Sequence, residues 1–298
     1  MKQRILGSTG MKVSILGFGG AEIGQEQVEQ QTVDALLNGA LDAGLNVIDT
    51  GECYQYSEER IGKAVSHRRN DFYLFTKIGH NQGFEEDNWD LGMMEHSLER
   101  SLKRLNTDYV DLLQLHNCPE DLLRRGEVIS LLQKFKEQGK ARFIGCSADG
   151  AAAQYAVQTG LFDTLQTSLN IADQEAIERT IPEAVRRGMG VIAKRPIANA
   201  AWRTGNRPEA AYHQEYWERL RRLRYHFLNA PLPESIGTAL RFTLSVPGVQ
   251  TAIVGTTRPG RWEENARLVS QGALPMEAIA EIRGRWQEAS AGQWPGQV

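Results

Sequence analysis

A (β/α)8 TIM barrel with an N-terminal β-hairpin is the fold class this sequence predicts. Three observations carry it. Eight short strand-like runs alternate with amphipathic helical patterns along the chain. Several of these runs are almost wholly apolar, as strands are when both faces of a parallel sheet are covered. Eight such units in 298 residues match a closed barrel better than an open doubly wound sheet.

The elements follow in order. Gly7-Ser8-Thr9-Gly10 is a turn signal between two short apolar runs and predicts the hairpin. Val13–Phe18 reads as a strand, and Glu29–Ala43 as an amphipathic helix ending at Gly44. Val47–Asp49 is the next strand, and Ser57 caps a helix running to about Val65. Strands follow at Phe72–Lys77, Tyr109–His116, Arg142–Cys146, Thr164–Ser168, Gly190–Lys194 and Thr251–Val254. The helices between them are expected at Leu91–Leu105, Glu127–Gln138, Ala151–Gln158 and Gln174–Arg187, with a last one beginning near Pro259. No Pro/Gly/Ser-rich linker divides the chain, so residues 1–298 are expected to form one domain. Two segments break the rhythm. Residues 196–232 are far longer than a usual βα loop, and such insertions are typically functional. The tail 289–298 either hangs free or covers the barrel mouth.

Composition excludes several classes. The formal net charge is −3, so general attraction to nucleic acid is not expected. The arginines between Arg219 and Arg224 read as a solvated helix face. No apolar run reaches the ~20 residues of a membrane span, and no sustained apolar segment follows the N-terminal basic residues, so no signal peptide is expected. Cys53, Cys118 and Cys146 are odd in number and lack metal-ligand spacing. Free thiols in a reducing cytoplasm, and no metal site, are the expectation.

Four polar residues close or follow successive strands. Asp49 ends one run and Tyr54 follows five residues later; Lys77 and His116 end the next two. In a parallel barrel all four meet at the C-terminal mouth, where such barrels carry their chemistry. An ammonium near a phenol favours the phenolate, and a carboxylate would hold that ammonium in place. An imidazole beside them would orient a carbonyl oxygen. The set points to proton transfer. Cys53 and Cys118 flank it, and Lys77 would raise the thiolate fraction of a reachable thiol there. Gly17-Phe18-Gly19-Gly20 is no dinucleotide fingerprint, because Glu22 stands at the third required glycine.

The motifs resemble those of the aldo-keto reductases. Asp49-Thr50-Gly51-Glu52-Cys53-Tyr54-Gln55-Tyr56-Ser57-Glu58 is similar to that family's D-T-A-x-x-Y-G-x-S-E segment. Thr76-Lys77 is similar to its T-K segment. Ser101-Leu102-Lys103-Arg104-Leu105, Asp108-Tyr109-Val110-Asp111-Leu112 and His116 follow its S-L-x-R-L-x-x-D-Y-x-D-L…H pattern. Residues 139–147 and Glu263-Glu264-Asn265 match as well, so the resemblance runs from about residue 3 to 270. It implies an NADP(H)-dependent reductase of aldehydes or ketones, an oxidoreductase acting on CH–OH groups, with a small carbonyl substrate. By that resemblance Tyr54 is the proton donor, Lys77 lowers its pKa and pairs with Asp49, and His116 positions the carbonyl. Ser147 and Gln166 bind the nicotinamide carboxamide, with Gly20 and Asp49 nearby. Lys194, Arg195 and Pro196 stand where a residue covers the nicotinamide ring. Gly255, Thr256, Thr257, Arg258 and Arg261 open a helix suited to phosphate, and Arg261 or Arg258 pairs with the 2′-phosphate. Glu264 and Asn265 match the adenine contacts.

The chain departs from the family pattern at four places. Ala148 stands for the usual Asn after Ser147, which removes one carboxamide contact. Lys194 stands for a frequent aromatic and is expected to approach the cofactor phosphates instead. Gly51 replaces Ala, and Gln55 replaces the Gly after Tyr54. The alternative from another class is a regulatory or redox-sensing protein with little turnover, as potassium-channel β subunits partly are. The sequence names neither a substrate nor an oligomeric state.

Overall fold

The computed structural model describes residues 1–83 and 85–297. Phe84, and Val298 at the end of the expected tail, lie outside the described residues. Strands β1 (Gln3–Ile5) and β2 (Lys12–Ser14) form an antiparallel hairpin. Strands β3 (Leu16–Gly19), β4 (Val47–Asp49), β5 (Tyr73–Ile78), β6 (Val110–His116), β7 (Ala141–Ser147), β8 (Thr164–Ser168), β9 (Gly190–Lys194) and β10 (Val249–Gly255) follow. These eight pair in parallel, each with the next, and β10 closes back on β3. The fold is the expected barrel with its hairpin.

Around it lie α1 (Gln30–Asp42), α2 (Ser57–Val65), α3 (Leu91–Leu105), α4 (Glu120–Arg125), α5 (Glu127–Glu137), α6 (Gly150–Thr159), α7 (Glu175–Glu178) and α8 (Ile181–Arg186). The later helices are α9 (Ala211–Leu223), α10 (Leu232–Ser245), α11 (Arg261–Ser270) and α12 (Met276–Ser290). Among the described residues, no helix is long and apolar enough to cross a membrane.

Four local expectations need correction. The run Val13–Phe18 is not one strand. It breaks at Ile15, whose N–H donates to Lys2 O at 3.0 Å, while the Ser14 hydroxyl donates to Leu16 O at 2.9 Å. The hairpin strand therefore ends before the barrel strand begins. Ser57 does not cap α2 but is its first residue; its hydroxyl donates to Gly20 O at 2.7 Å and lies 2.8 Å from the Thr50 hydroxyl. The helix expected over Gln174–Arg187 is split into α7 and α8 at Arg179-Thr180, because Pro182 opens a new first turn and cannot continue the old one. A short helix, α4, precedes α5, separated from it by Gly126 at φ +79°.

The barrel interior explains the position of the site. Val47, Phe75, Leu112, Ile192 and Ile253 form a cluster with hairpin residues Leu6, Met11 and Val13. The hairpin thus plugs the N-terminal end of the barrel. Gly7 makes that approach possible: it sits at φ +51°, and a Cβ there would lie 2.2 Å from Gly190 N. Side chains two apart on a strand share a face. One step above the apolar layer come Asp49, Lys77, Gln114, Lys194 and Gly255. The same alternation that fills the base with hydrocarbon fills the mouth with polar groups. A separate apolar cluster joins α9, α10 and α12 through Tyr216, Leu220, Phe242, Ile282 and Trp286. It gives the 196–232 insertion a packed base.

Leu6→Ala is expected to lower the unfolding free energy by roughly 2–5 kcal/mol, the cost of a core cavity. Urea unfolding followed by fluorescence measures it. A loss below ~1 kcal/mol would show that the barrel base closes without this side chain.

Candidate active site

Lys77 and Asp49 lie at the centre of the mouth, each side chain 2% exposed. The Lys77 ammonium donates to Asp49 Oδ1 and to Thr50 O, the latter at 2.7 Å. Asp49 Oδ2 accepts from Gln114 Nε2 at 3.1 Å and from Gln166 Nε2 at 2.8 Å. Ser147 Oγ donates to Gln166 Oε1 at 3.1 Å. One connected network therefore ties the ends of β4, β5, β6, β7 and β8. Burial pulls the Lys77 ammonium down, but Asp49 and Tyr54 act the other way, and the net effect is a raised pKa.

Tyr54 reaches the same place from the loop after β4. Its ring lies 5.2 Å from Lys77 Nζ, and its hydroxyl lies 3.3 Å from His116 Nε2. The protein mass around the hydroxyl pushes it up to about 12, and the Lys77 charge only partly opposes this. The expected lowering by Lys77 is present, but desolvation outweighs it. Burial also drives the His116 imidazole well below its ordinary value, and Lys77, His80, Lys194 and Arg195 add to this. His116 is thus neutral at neutral pH and its Nε2 can carry a hydrogen toward an oxygen.

The loop holding Tyr54 is locally strained. Gln55 occupies the left-handed region at φ +47°, where glycine would sit without cost. A Cβ on Gly51 would lie 3.2 Å from the Tyr54 ring, so glycine leaves that ring face clear. Beneath the loop, buried Glu52 pairs with Arg100 and, at 3.2 Å, with Arg104. Buried Glu58 accepts from Thr76 Oγ1 at 2.6 Å. These contacts fasten the loop to α3 and β5.

The expected cofactor residues divide into two groups. Ser147, Gln166, Lys194, Arg195 and Pro196 lie at the ends of β7, β8 and β9. Lys194 does not turn toward the α11 end. Its Nζ lies 3.0 Å from Asp149 Oδ2 and 2.9 Å from Asn117 Oδ1, with Ser147 Oγ at 3.5 Å. Asp149, which follows β7 two strands away, holds it at the floor. Arg195 adopts φ +55° and donates to Ser168 Oγ at 3.1 Å and Tyr212 Oη at 2.5 Å. Pro196 O accepts from Thr243 Oγ1 at 3.0 Å.

The second group surrounds the start of α11. Gly20 N donates to Asp49 O at 2.7 Å. Gly255 closes β10, and the Glu22 carboxylate lies directly over it, 1.7 Å from where a Cβ would be. Thr256 Oγ1 accepts from Arg258 N at 3.1 Å, and Thr257 is exposed. Arg258 and Arg261 both pair with Glu264, the latter at 3.3 Å. These exposed pairs are weak and exchangeable. Asn265 is buried on the next turn.

The tail is not free. Gly296 N donates to Glu175 Oε2 at 2.7 Å, Gln297 N to Asp173 Oδ2 at 2.9 Å, and Gln297 O accepts from Ser168 Oγ at 3.0 Å. Arg219, read from sequence as part of a solvated face, is buried and donates to Pro295 O at 3.0 Å. Of the tryptophans, Trp89 meets the His80 ring edge-on at 5.9 Å, Trp202 donates to Ser235 Oγ, and Trp294 lies under Arg219 and Arg222. Cys118 and Cys146 are buried and Cys53 half-buried. Lys77 pulls the Cys53 thiol down as expected, but burial outweighs it and pushes the thiol up to about 11. Burial likewise takes Cys118 to about 12. Sequence reading missed Gln114, Asn117 and Asp149. Gln114 was findable, since it shares an inward face with His116 two residues on.

Fold and polar mouth together define a TIM-barrel protein of enzymatic type. The profile described as the Aldo/keto reductase family matches residues 15–287, and the chain belongs to that family. It is 26% identical to the uncharacterized oxidoreductase YqkF of Bacillus subtilis, covering 97% of both chains. It is also 26% identical to L-galactose dehydrogenase of Arabidopsis thaliana, covering 99% of this chain and 97% of that one. The holo form of aldo-keto reductase AKR11C1 from Bacillus halodurans superposes with a TM-score of 0.83 at 28% identity, over 96% of both chains. Membership of that family makes the protein an oxidoreductase.

The network under the loop generates a pH prediction. Burial raises the Glu58 carboxyl to about 7 from an ordinary 4.5. An acid with a raised folded pKa is stabilising only while protonated, so stability falls as pH rises from about 4.5 to 7. Glu58→Gln is expected to flatten the fall in Tm across that window, with the difference between the two profiles isolating this residue. Parallel Tm–pH curves for the two proteins would remove Glu58 as its source.

Proposed function

We propose that the protein reduces aldehydes, ketones or sugar carbonyls to alcohols with NADPH, and that Tyr54 supplies the proton. The observation that carries this reading is the placement of the Tyr54 hydroxyl 3.3 Å from His116 Nε2, above the buried Lys77–Asp49 pair. A carbonyl oxygen lodged between phenol and imidazole receives two hydrogen bonds. As negative charge builds on that oxygen, Tyr54 transfers its proton, and the Lys77 ammonium beneath the ring stabilises the phenolate left behind. Asp49 keeps Lys77 in place. His116, neutral and donating through Nε2, orients the oxygen without competing as an acid.

The residues present fit a nicotinamide dinucleotide. Ser147 and Gln166 are buried side by side and retain one amide hydrogen and hydroxyl lone pairs for a carboxamide. Helix α11 begins after Gly260 at φ +80° with no side-chain cap; Arg261 N donates to Arg258 O at 3.2 Å, which leaves the N–H groups of Trp262 and Glu263 for phosphate. Glu22, exposed over Gly255, must swing aside for an anion to sit there. Arg258 and Arg261 then exchange Glu264 for a 2′-phosphate. When bound, the cofactor supplies the hydride.

Tyr54→Phe is expected to lower kcat for carbonyl reduction by ~10²–10⁴-fold while NADPH affinity is nearly unchanged. Steady-state NADPH oxidation with an aldehyde and sugar panel, beside fluorescence titration of the cofactor, measures both. A variant with wild-type kcat on every good substrate would refute the proton-donor role.

Arg261→Ala is expected to weaken NADPH more than NADH. Equal affinity of the unmodified protein for the two cofactors, measured by the same titration, would count against the 2′-phosphate reading.

A further inference from the structure

Three consecutive strands bring a thiol and two imidazoles to one side of the mouth. Cys53 follows β4, His80 follows β5 and His116 ends β6. One ligand atom from each lies within 4.8 Å of the others. Cys53 Sγ is 3.2 Å from His116 Nδ1. In a tetrahedral zinc site, with Zn–S near 2.3 Å and Zn–N near 2.0–2.1 Å, sulfur and nitrogen stand roughly 3.5 Å apart. The pair is already close to that separation.

The outer contacts suit ligation. His80 Nε2 lies 2.9 Å from His116 O. A carbonyl can only accept, so Nε2 carries the hydrogen and Nδ1 keeps its lone pair. A ligating histidine commonly donates its other N–H to a backbone carbonyl in this way. His116 Nε2 faces Tyr54 Oη, which leaves Nδ1 for the Cys53 side. The two imidazoles are stacked 4.7 Å apart at 9°, so His80 must turn out of that stack for both lone pairs to converge. His80 and Cys53 are only half-buried, which leaves the ion a path from the mouth. Lys77, a cation close by, has its charge matched by Asp49. Chain positions 53, 80 and 116 lack the short spacing of a local metal motif; the barrel supplies the proximity.

We propose that Cys53, His80 and His116 form a binding site for a borderline-soft divalent ion of the zinc class, and that an ion held there blocks carbonyl reduction. One sulfur and two nitrogens favour such an ion over magnesium or calcium. Three protein ligands leave a fourth position for water. On binding, the Cys53 S–H bond breaks, the sulfur–metal bond forms, and the proton leaves to solvent. The ion replaces the Cys53–His116 contact and pins the His116 ring through Nδ1, so that Nε2 cannot adjust to a carbonyl oxygen beside Tyr54.

The test uses the full chain without a polyhistidine tag. Zn²⁺ binding is measured by calorimetry, and Co²⁺ binding by absorption, where thiolate ligation gives a sulfur-to-cobalt charge-transfer band. The expected result is one equivalent of ion and a charge-transfer band that Cys53→Ala abolishes. Cys53→Ala and His80→Ala should each weaken Zn²⁺ by at least ~10-fold. Circular dichroism confirms that each variant is folded, and Cys53→Ser and His80→Gln replace any that is not. Absence of the band, or unchanged Zn²⁺ affinity in the folded His80 variant, would overturn the site. The blocking half rests on the reductase reading. Zn²⁺ should suppress NADPH-dependent turnover reversibly by chelator, and full turnover with the site occupied would overturn it. Metal binding without reduction of any carbonyl, with or without chelator, would instead sink the reductase reading and leave the metal site standing.

Discussion

The buried Lys77–Asp49 pair is the constraint on which the mouth depends. Two charges taken out of water cost several kcal/mol each unless their remaining hydrogen-bonding capacity is filled. Here it is filled almost wholly from neighbouring strands. Thr50 O takes a second hydrogen from Lys77, and Gln114 and Gln166 saturate the outer oxygen of Asp49. A slip of one residue in β4, β5, β6 or β8 would turn its polar member outward and leave a buried charge short of partners. The pair therefore contributes specificity of register as well as a fixed field. Breaking it by removing one partner costs ~3–5 kcal/mol, far more than the intact pair need contribute.

That field acts in two directions on the groups above it. Tyr54 and His116 are both driven toward their neutral forms by burial, the phenol upward and the imidazole downward. Lys77 opposes the shift at Tyr54 and reinforces it at His116. The outcome is a mouth in which a protonated phenol and a neutral imidazole coexist over one ammonium. A group that must donate a proton to a developing alkoxide is best kept protonated until the charge appears, and then stabilised as its anion. On the proposed reading of Tyr54 as proton donor, the arrangement meets both requirements with one cation.

The barrel was legible because strand alternation has a period of two and the polar residues fall at its upper end. Asp49, Lys77 and His116 could be located from that alone. Lys194 and Ser57 could be placed but not interpreted. Both make their decisive contacts with other elements, Lys194 with Asp149 and Asn117, Ser57 with Gly20. Tyr54 carried the opposite difficulty. Its neighbour Lys77 was visible in the sequence, but the surrounding mass that outweighs Lys77 was not. Arg219 was misread because a run of arginines looks solvated, whereas the tail and α9 enclose the first of them. Helix α12, which carries no chemistry-bearing residue, drew no attention at all.

The floor and the rim of the mouth are held by different means. The floor residues stand on barrel strands whose inward apolar layer is sealed by the hairpin. The rim rests on the cluster formed by α9, α10 and α12. Between them runs a strained stretch: Arg195, Ala198, Asn199 and Ala200 all have φ between +45° and +55°. Non-glycine residues in that region each cost ~1 kcal/mol or more and persist only where surrounding structure holds them. The tail adds a contact on the same side, anchored by Asp173 and Arg195. Burial and nearby Asp149 raise the Asp173 carboxyl to about 7, so the acceptor for Gln297 N changes charge near neutral pH. Substitutions in the rim can thus reshape what enters the mouth while the Lys77–Asp49 network, supported from below, stays in register. Floor and rim of this barrel are structurally separable because different apolar clusters support them.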